Sequence, residues 1–283
     1  SAAQGKKKIK WEMQADIVIV GSGIAGTAAA LGAASKGASV IMLEKMPFKG
    51  GTTAKSGGVF WIPNNPWLQS EGIKDERKDA MRYMVRLAHP QRYVASDEHL
   101  GISKNEFDLI ASFYDNGSRV VANLLETTGL KLMPWYTWEE KAYPDYFADL
   151  KENTVKRGRS LVPDLSEHAD RVIWPKGGGS GESLLWQLQA KFDQLPIQIL
   201  LDHQVLDLLR DDSDRIIGVS VDRGDAEPIN VGAAKAVIFC TGGFTHNPKL
   251  AREFLKGHIW GGCAAPGSTG DFIPIAQRAG AAL

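Results

Sequence analysis

The pattern of apolar and small residues changes its period close to residue 21. Residues 17–20 form a short apolar run rich in β-branched side chains, which is typical of a buried strand. Small residues from 24 to about 36 favour a helix, and the apolar run 39–43 favours a second strand. Residues 15–44 therefore predict a strand, a helix and a second strand in succession.

The rest of the chain predicts further helices followed by further strands. Apolar residues recur at helical spacing in 74–88 and 104–128, and a third helix is expected at about 182–194. Between them, 130–180 is irregular and rich in aromatic residues, proline and glycine; so long a loop is usually functional. The order of elements predicts an α/β fold with a central parallel sheet, an added β-meander and a helical insertion. The later strands are expected at 197–201, 205–210, 216–222 and 236–240.

Composition narrows the class of protein. The chain has 283 residues, 43% hydrophobic and 23% charged, with a formal net charge of +0, which is typical of a globular protein without nucleic-acid partners. Its one basic cluster, 6–10, is expected to be a solvated tail, with attachment to a membrane surface as the alternative. Two isolated cysteines, Cys240 and Cys263, indicate a reducing, cytoplasmic location. The six histidines lack ligand spacing, so we predict no metal site.

A glycine motif lies between the first predicted strand and helix. Gly21, Gly23 and Gly26 have G-x-G-x-x-G spacing, and Glu44 ends the second strand about 20 residues further on. The glycines allow a tight turn, close approach of the backbone to a pyrophosphate, and close packing of helix on strand. The helix N-terminus attracts the negative charge, and Glu44 can accept a hydrogen bond from a ribose hydroxyl. The pattern predicts dinucleotide binding; the alternative is a βαβ unit without a ligand.

The loop after Glu44 indicates which dinucleotide is bound. Residues 50–58 are rich in glycine and hydroxyl side chains, for which a nicotinamide-binding unit has no need. This combination resembles FAD-binding flavoproteins of the fumarate reductase/succinate dehydrogenase superfamily, and it implies a Rossmann-like FAD-binding domain. One branch of that superfamily attaches FAD to a histidine in this loop. No histidine lies between Glu44 and Gly58, so the resemblance implies non-covalent FAD.

Three later segments match the same superfamily. In that family a strand like 204–209 passes the adenine, a T-G-G turn like 241–243 lies beneath the dinucleotide, and a T-G-D segment like 269–271 opens a helix facing the flavin. A helix cap is the alternative role of Asp271. The resemblance implies these cofactor-binding residues: Gly21, Ser22, Gly23, Ile24, Ala25, Gly26, Glu44, Lys45, Gly51, Thr52, Thr53, Ser56, Gly57, Gly58, Val205, Thr241, Gly242 and Asp271.

Within the superfamily, segments 50–58 and 61–64 resemble 3-ketosteroid 1-dehydrogenases. Those enzymes remove a proton and a hydride from adjacent carbons of the steroid A ring, and they pass electrons to an acceptor such as a quinone. Their catalytic tyrosine lies in a context like 143–146, followed by G-R-S as at 158–160. The resemblance implies Tyr146 as the base, with Tyr143 second. A phenol has a pKa of about 10, so it needs assistance from its surroundings to act as a base at neutral pH. The alternative role of Tyr146 is packing against substrate or protein.

The resemblance also implies a larger protein. Family members are about twice as long and continue through a substrate-capping domain, which we expect to begin near or after residue 283. The expected organisation is a basic tail at 1–14 and an FAD-binding domain at 15–283, with an insertion at about 70–195. A second chain that supplies the missing half would make the protein a heteromer. The alternatives to a steroid dehydrogenase are a fumarate- or urocanate-type enoate reductase and a flavin-binding subunit.

Overall fold

A computed structural model describes residues 9–224, 227–257 and 259–282. The strands are β1 Met13–Val20, β2 Val40–Leu43, β3 Phe60–Trp61, β4 Leu132–Pro134, β5 Ser160–Pro163, β6 Ile197–Leu200, β7 Gln204–Arg210, β8 Ile216–Asp222 and β9 Ile229–Phe239. The α-helices are α1 Ile24–Ala34, α2 Gly51–Ala54, α3 Pro66–Ser70, α4 Arg77–Ala88, α5 Lys104–Thr128, α6 Gly181–Gln189, α7 Pro248–Phe254 and α8 Phe272–Arg278. Short 3-10 turns occur at Ala169–Arg171, Pro175–Gly177 and Phe192–Gln194.

The chain divides into two compact units. The first comprises the chain up to Lys55 and from Leu188 onwards, and the second is Ser56–Gln187. The domain boundaries expected from the sequence remain a prediction. Lys6, Lys7 and Lys8 of the expected basic tail lie outside the described residues.

The first unit is built on a six-stranded sheet in the order β6-β2-β1-β9-β8-β7. The first four strands pair in parallel, and β7, β8 and β9 form an antiparallel meander. Both features were predicted, but β9 begins at Ile229 rather than at 236. Its first half has the β-branched residues Ile229 and Val231, but Asn230 separates them and small residues follow. No continuous apolar run marks this half as a strand, and it becomes one by pairing with β8.

The core of this unit follows from the pattern of its strands. All of β2 is buried, as expected for a central strand covered on both faces. Val18, Val219 and Val231 are completely buried in one cluster with residues of β2 and β7. Helix α1 buries small residues, Gly26 and Ala30 among them, so that its axis approaches the sheet closely.

The second unit contains the two longer helices and a small sheet in the order β3-β5-β4. Helices α4 and α5 pack through Met81, Val85 and Ala111. Helix α5 begins at a capping box, in which Ser103 and Glu106 satisfy each other's backbone N–H groups. The helices predicted at 74–88 and 104–128 are confirmed, whereas α6 ends at Gln189. Across the described ranges, no helix has both the length and the apolar character needed to cross a bilayer.

Candidate functional site

A cavity of about 380 Å³ lies in the first unit. Its walls include Val20, Leu43 and Phe239, the last residues of the parallel strands β1, β2 and β9. Open α/β sheets bind ligands outside the carboxyl ends of their strands, so the cavity lies where a ligand is expected. It brings together these residues of the sequence-based prediction: Gly21, Ser22, Gly23, Ile24, Ala25, Glu44, Lys45, Gly51, Thr52, Thr53, Val205, Thr241, Gly242 and Asp271.

The three motif glycines have different surroundings. Gly21 has a positive φ of 104°, and a Cβ there would lie 2.4 Å from the carbonyl oxygen of Cys240. A Cβ at Gly26 would lie 2.0 Å from the carbonyl oxygen of Gly21, so the turn and helix α1 leave no room for a side chain. Gly26 therefore shapes the turn without lining the cavity. A Cβ at Gly23 would meet nothing closer than 3.6 Å, so the protein itself does not demand glycine there.

The first turn of α1 faces this cavity through Ile24 and Ala25. Gly23 precedes the helix without a side-chain cap. The hydroxyl of Thr53 accepts a hydrogen bond from the N–H of Ile24 at 3.1 Å. Thr52 in the same short helix accepts one from Ala265 at 3.0 Å. The hydroxyl of Thr53 thus meets the positive end of the α1 dipole, where a phosphate group would be favoured.

Glu44 is buried and forms three hydrogen bonds to the protein. One carboxylate oxygen accepts from the N–H and the hydroxyl of Ser22, at 3.1 and 2.7 Å. The other accepts from the N–H of Met46 at 3.0 Å. The Ser22 hydroxyl also accepts from the N–H of Gly50 at 2.8 Å. Glu44 therefore holds the glycine turn in place, and it also lines the cavity.

A polar cluster joins the end of β2 to the start of α8. The ammonium group of Lys45 donates to Asp271 at 2.8 Å and to Thr269 at 2.5 Å, and the amide of Gln204 donates to Asp271 at 3.1 Å. Burial alone would raise the pKa of Asp271, but hydrogen bonds from Lys45, Thr269 and Gln204 lower that pKa below its ordinary value. The side chain of Asp271 makes no capping bond to α8, so the helix-cap alternative is wrong.

Sequence reasoning missed several residues of the cavity wall. Gln204 directly precedes the predicted Val205 in β7. Neighbouring side chains of a strand point to opposite faces, so a strand that presents Val205 to the cavity is not expected to present Gln204 as well. The long side chain of Gln204 nevertheless reaches Asp271 at the cavity wall. Cys240 precedes the T-G-G turn, and burial raises the pKa of its thiol, which favours the neutral form. Met46, His203, Ala265, Gly267, Ser268, Phe272 and Ile275 also line the cavity without a local sequence signal.

Three predicted cofactor residues, Ser56, Gly57 and Gly58, belong to the second unit. There the indole N–H of Trp174 donates to the carbonyl of Gly57 at 2.9 Å. Gly58 has a positive φ of 72°, and a Cβ there would lie 2.4 Å from the carbonyl carbon of Ser180. The packing of the second unit therefore requires glycine at Gly58, and the role of all three residues in cofactor binding stays a prediction.

The two predicted catalytic tyrosines also lie in the second unit. The side chain of Tyr146 is 84% exposed, and its neighbour Phe147 has a positive φ of 49°. Tyr143 is stacked on Trp135, with ring centroids 3.7 Å apart and an interplanar angle of 9°. Trp135 in turn meets Trp174 edge-on at 5.3 Å. Tyr143 is thus part of an aromatic stack, whereas the ring of Tyr146 is largely open to solvent.

Arg159, from the G-R-S segment, is completely buried. Its guanidinium group pairs with both carboxylate oxygens of Asp75 at 2.8 Å and with Asp145 at 2.6 Å. Its charge lies over the rings of Trp61 and Tyr83, 5.3 and 5.2 Å from their centroids. Two buried carboxylates around one buried cation make this cluster the polar centre of the second unit.

The cavity suits a dinucleotide. The open space at Gly23, the helix N-terminus and the hydroxyls of α2 fit a pyrophosphate, and the buried Glu44 fits a ribose. Fold and site together define a dinucleotide-binding α/β protein.

Comparisons with known proteins identify the family. A family model described as an FAD binding domain matches residues 16–283, so the chain belongs to this family. The 3-oxosteroid 1-dehydrogenase of Mycolicibacterium smegmatis strain ATCC 700084 is 29% identical over 322 residues, covering 95% of this chain and 54% of that protein. The urocanate reductase of Eggerthella lenta is 26% identical, covering 95% of this chain and 38% of that protein.

A solved structure shares the fold. It is a 3-ketosteroid-Δ4-(5α)-dehydrogenase from Rhodococcus jostii RHA1 in complex with 4-androstene-3,17-dione, with a TM-score of 0.75 and 24% identity over 96% of this chain and 55% of that one. The chain therefore spans about half the length of the relatives it matches. The predicted superfamily, the α/β fold and FAD as cofactor are confirmed.

Proposed function

We propose that this chain is the FAD-binding part of a 3-ketosteroid dehydrogenase-like oxidoreductase. The enzyme would remove two hydrogens from a C–C bond next to a ketone. The observation that carries the proposal is the relationship to a 3-oxosteroid 1-dehydrogenase over 95% of this chain. The apolar rings of the second unit support it, because Trp138, Tyr146 and Phe147 are 82%, 84% and 73% exposed and would suit a polycyclic substrate.

The residues of the cavity would divide the binding of FAD among them. The first turn of α1 would hold the pyrophosphate, Glu44 would accept from a ribose hydroxyl, and Val205 would contact the adenine. Attachment would be non-covalent, because no histidine lies between Glu44 and Gly58. When bound, FAD supplies the hydride acceptor. Its reoxidation would need an electron acceptor such as a quinone, and a second chain that completes the active site stays a proposal.

Tyr146 is the residue that we assign to proton removal. Its phenol would take the proton from the carbon next to the ketone, while Tyr143 would flank the substrate as the second choice. An exposed ring is available to a substrate, whereas the stacked ring of Tyr143 must first leave Trp135. An apolar substrate that covers Tyr146 would also exclude water around the phenol.

A second candidate function is reduction of the C=C bond of an enoate. It is favoured by the urocanate reductase relative, which covers the same share of this chain. The carboxylate of such a substrate would need arginine or histidine partners. A flavin-binding subunit that needs a second chain for activity is the remaining alternative.

The proposal is tested with the FAD-loaded chain, joined by the segment or second chain that completes the enzyme, and with its Tyr146→Phe variant. Turnover is followed by bleaching of an artificial electron acceptor with a 3-ketosteroid, and in the reverse sense with an enoate and a reduced dye. We expect steroid turnover that falls about 100-fold in Tyr146→Phe, with the flavin spectrum unchanged. Tyr136→Phe, in the same aromatic segment, is the matched control and should keep full activity. Enoate turnover alone would favour the reductase, and FAD binding without any turnover would favour the subunit.

A further inference from the structure

The main chain at Tyr146 is held by a buried tyrosine. Tyr83 in α4 is only 2% exposed, and its hydroxyl donates a hydrogen bond of 2.5 Å to the backbone carbonyl of Tyr146. Burial, with a further contribution from the charge of Asp145, raises the pKa of Tyr83 to about 12. The phenol of Tyr83 therefore stays protonated, and stays a donor, throughout the pH range of ordinary assays.

The residue before Tyr146 is held from the other side. The Asp145 carboxylate accepts from the guanidinium of Arg159 at 2.6 Å and from the indole N–H of Trp61 at 3.1 Å. The N–H of Asp145 donates to the carbonyl of Lys156 at 2.9 Å, which closes the loop between them. Hydrogen bonds to the rest of the protein thus fix the side chain and the N–H of Asp145 as well as the carbonyl of Tyr146.

This fixed main chain carries an exposed side chain. The ring of Tyr146 is 84% exposed, and Phe147 adopts a left-handed φ of 49° that bulky residues rarely adopt. A fixed main chain beneath an open ring limits where the phenol can point, and catalytic groups need such limits because small displacements are costly in rate.

We propose that Tyr83 is a positioning residue, which sets the direction of the Tyr146 phenol through the hydrogen bond to the Tyr146 carbonyl. The kinetic part of this proposal rests on the proposed function. The structural part does not, since it concerns only the order of the loop that contains Tyr146.

The chain offers a conservative variant with a matched control. Tyr83→Phe removes one hydroxyl and keeps the ring over Arg159. Tyr114 makes an equivalent bond in the same polar cluster, from a partly buried hydroxyl to the backbone carbonyl of Asp75 instead of that of Tyr146. Tyr114→Phe therefore loses the same kind of bond without releasing the loop.

The first measurement is chymotrypsin cleavage of the FAD-loaded chain, with the cut sites identified by mass spectrometry. Chymotrypsin cuts after Tyr and Phe, so the exposed Tyr146 and Phe147 are its natural targets. Cleavage at these two sites should be about 2-fold to 10-fold faster in Tyr83→Phe, as expected for the loss of one hydrogen bond. Tyr114→Phe should match the unsubstituted chain. Equal rates in all three, or the same acceleration in both variants, would overturn the proposal.

The second measurement is steady-state turnover of a 3-ketosteroid. Tyr83→Phe should lower kcat about 10-fold with little change in KM, because the ground-state contacts stay while the phenol is misdirected. A higher KM with unchanged kcat would overturn the positioning role. If the unsubstituted chain shows no steroid turnover when the rest of the enzyme is supplied, the proposed function fails, while the cleavage comparison still decides whether Tyr83 orders the loop.

Discussion

At the scale of single residues, the two glycines within helix α1 have contrasting surroundings. A Cβ at Gly26 would lie 2.0 Å from the carbonyl oxygen of Gly21, but a Cβ at Gly32 would meet nothing within 4 Å. The G-x-G-x-x-G spacing predicted a close approach at Gly26, and the structure shows the atom that is approached. That atom belongs to the turn whose backbone faces the cavity.

Gly26→Ala should therefore lower the free energy of unfolding by about 1–3 kcal/mol, since the backbone of the turn has to move to admit the methyl group. Gly32→Ala in the same helix should stabilise it by about 0.5–1 kcal/mol, because alanine loses less entropy than glycine in a helix. Denaturant unfolding of the two variants measures both values. Equal stability of the two variants would contradict the packing described for Gly26.

Glu44 provides a second test at this scale. Glu44→Gln keeps the size of the side chain and removes the charge that we expect to accept a ribose hydroxyl. A hydrogen bond to a charged group contributes about 1.5–3 kcal/mol, so FAD binding should weaken by about 10-fold or more. Quenching of flavin fluorescence on titration measures this, with exposed Glu71→Gln as the control. Unchanged affinity would remove Glu44 from the cofactor site.

At the scale of elements, the Lys45–Asp271 pair links β2 to α8. Lys45 lies two residues after the end of β2, and Asp271 directly precedes α8. Both side chains are partly buried, with exposed fractions of 22% and 27%, so the pair is better shielded than a surface salt bridge. Strand β7 joins the same cluster at the cavity wall, because Gln204 also donates a hydrogen bond to the Asp271 carboxylate.

The lowered pKa of Asp271 predicts how this link depends on pH. An aspartate whose folded pKa lies below its unfolded value of about 3.9 stabilises the folded state fully above that value, and the stabilisation is lost as pH falls through the folded pKa. The stability difference between the unsubstituted chain and Asp271→Asn should thus be constant above pH of about 5 and shrink below about 4. Urea unfolding between these values measures it, with exposed Asp193→Asn as the control. A difference that grows on acidification would contradict the predicted sign.

At the scale of the whole molecule, each unit has its own polar and apolar centre. The first unit is organised around the sheet and its valine-rich core. The second has the buried cluster of Arg159, Asp75 and Asp145, in which all three side chains are 0% exposed. Breaking a buried pair leaves an uncompensated charge, so the stability of the second unit depends on this arginine.

Arg159→Met should cost about 3–5 kcal/mol in unfolding free energy, because two buried carboxylates lose their cation. Arg77→Met provides the matched control, since Arg77 makes a two-bond contact of 2.7 and 2.9 Å with Asp115 at the surface. An exposed pair contributes about 0–1 kcal/mol. Differential scanning calorimetry of both variants measures the contrast, and a small loss in Arg159→Met would contradict the role assigned to the cluster.

The sequence by itself determined the local features of the cofactor site. A turn and a helix start set the spacing of the three motif glycines, and a strand end sets the position of Glu44. Each of these local structures depends on only a few neighbouring residues. The same holds for the order along the chain of the strands in the six-stranded sheet, although β9 begins earlier than predicted. By contrast, β4 and β5 lie in the segment 130–180, which was predicted to be irregular.

Only the tertiary structure decided the contacts between distant residues. It placed β9 beside β1, which brought the carbonyl of Cys240 against Gly21. It turned the Asp271 carboxylate away from α8 and towards Lys45, and it surrounded Arg159 with Asp75 and Asp145. Such contacts depend on which strands and loops become neighbours, and side-chain periodicity along one segment contains no information about its partners in space.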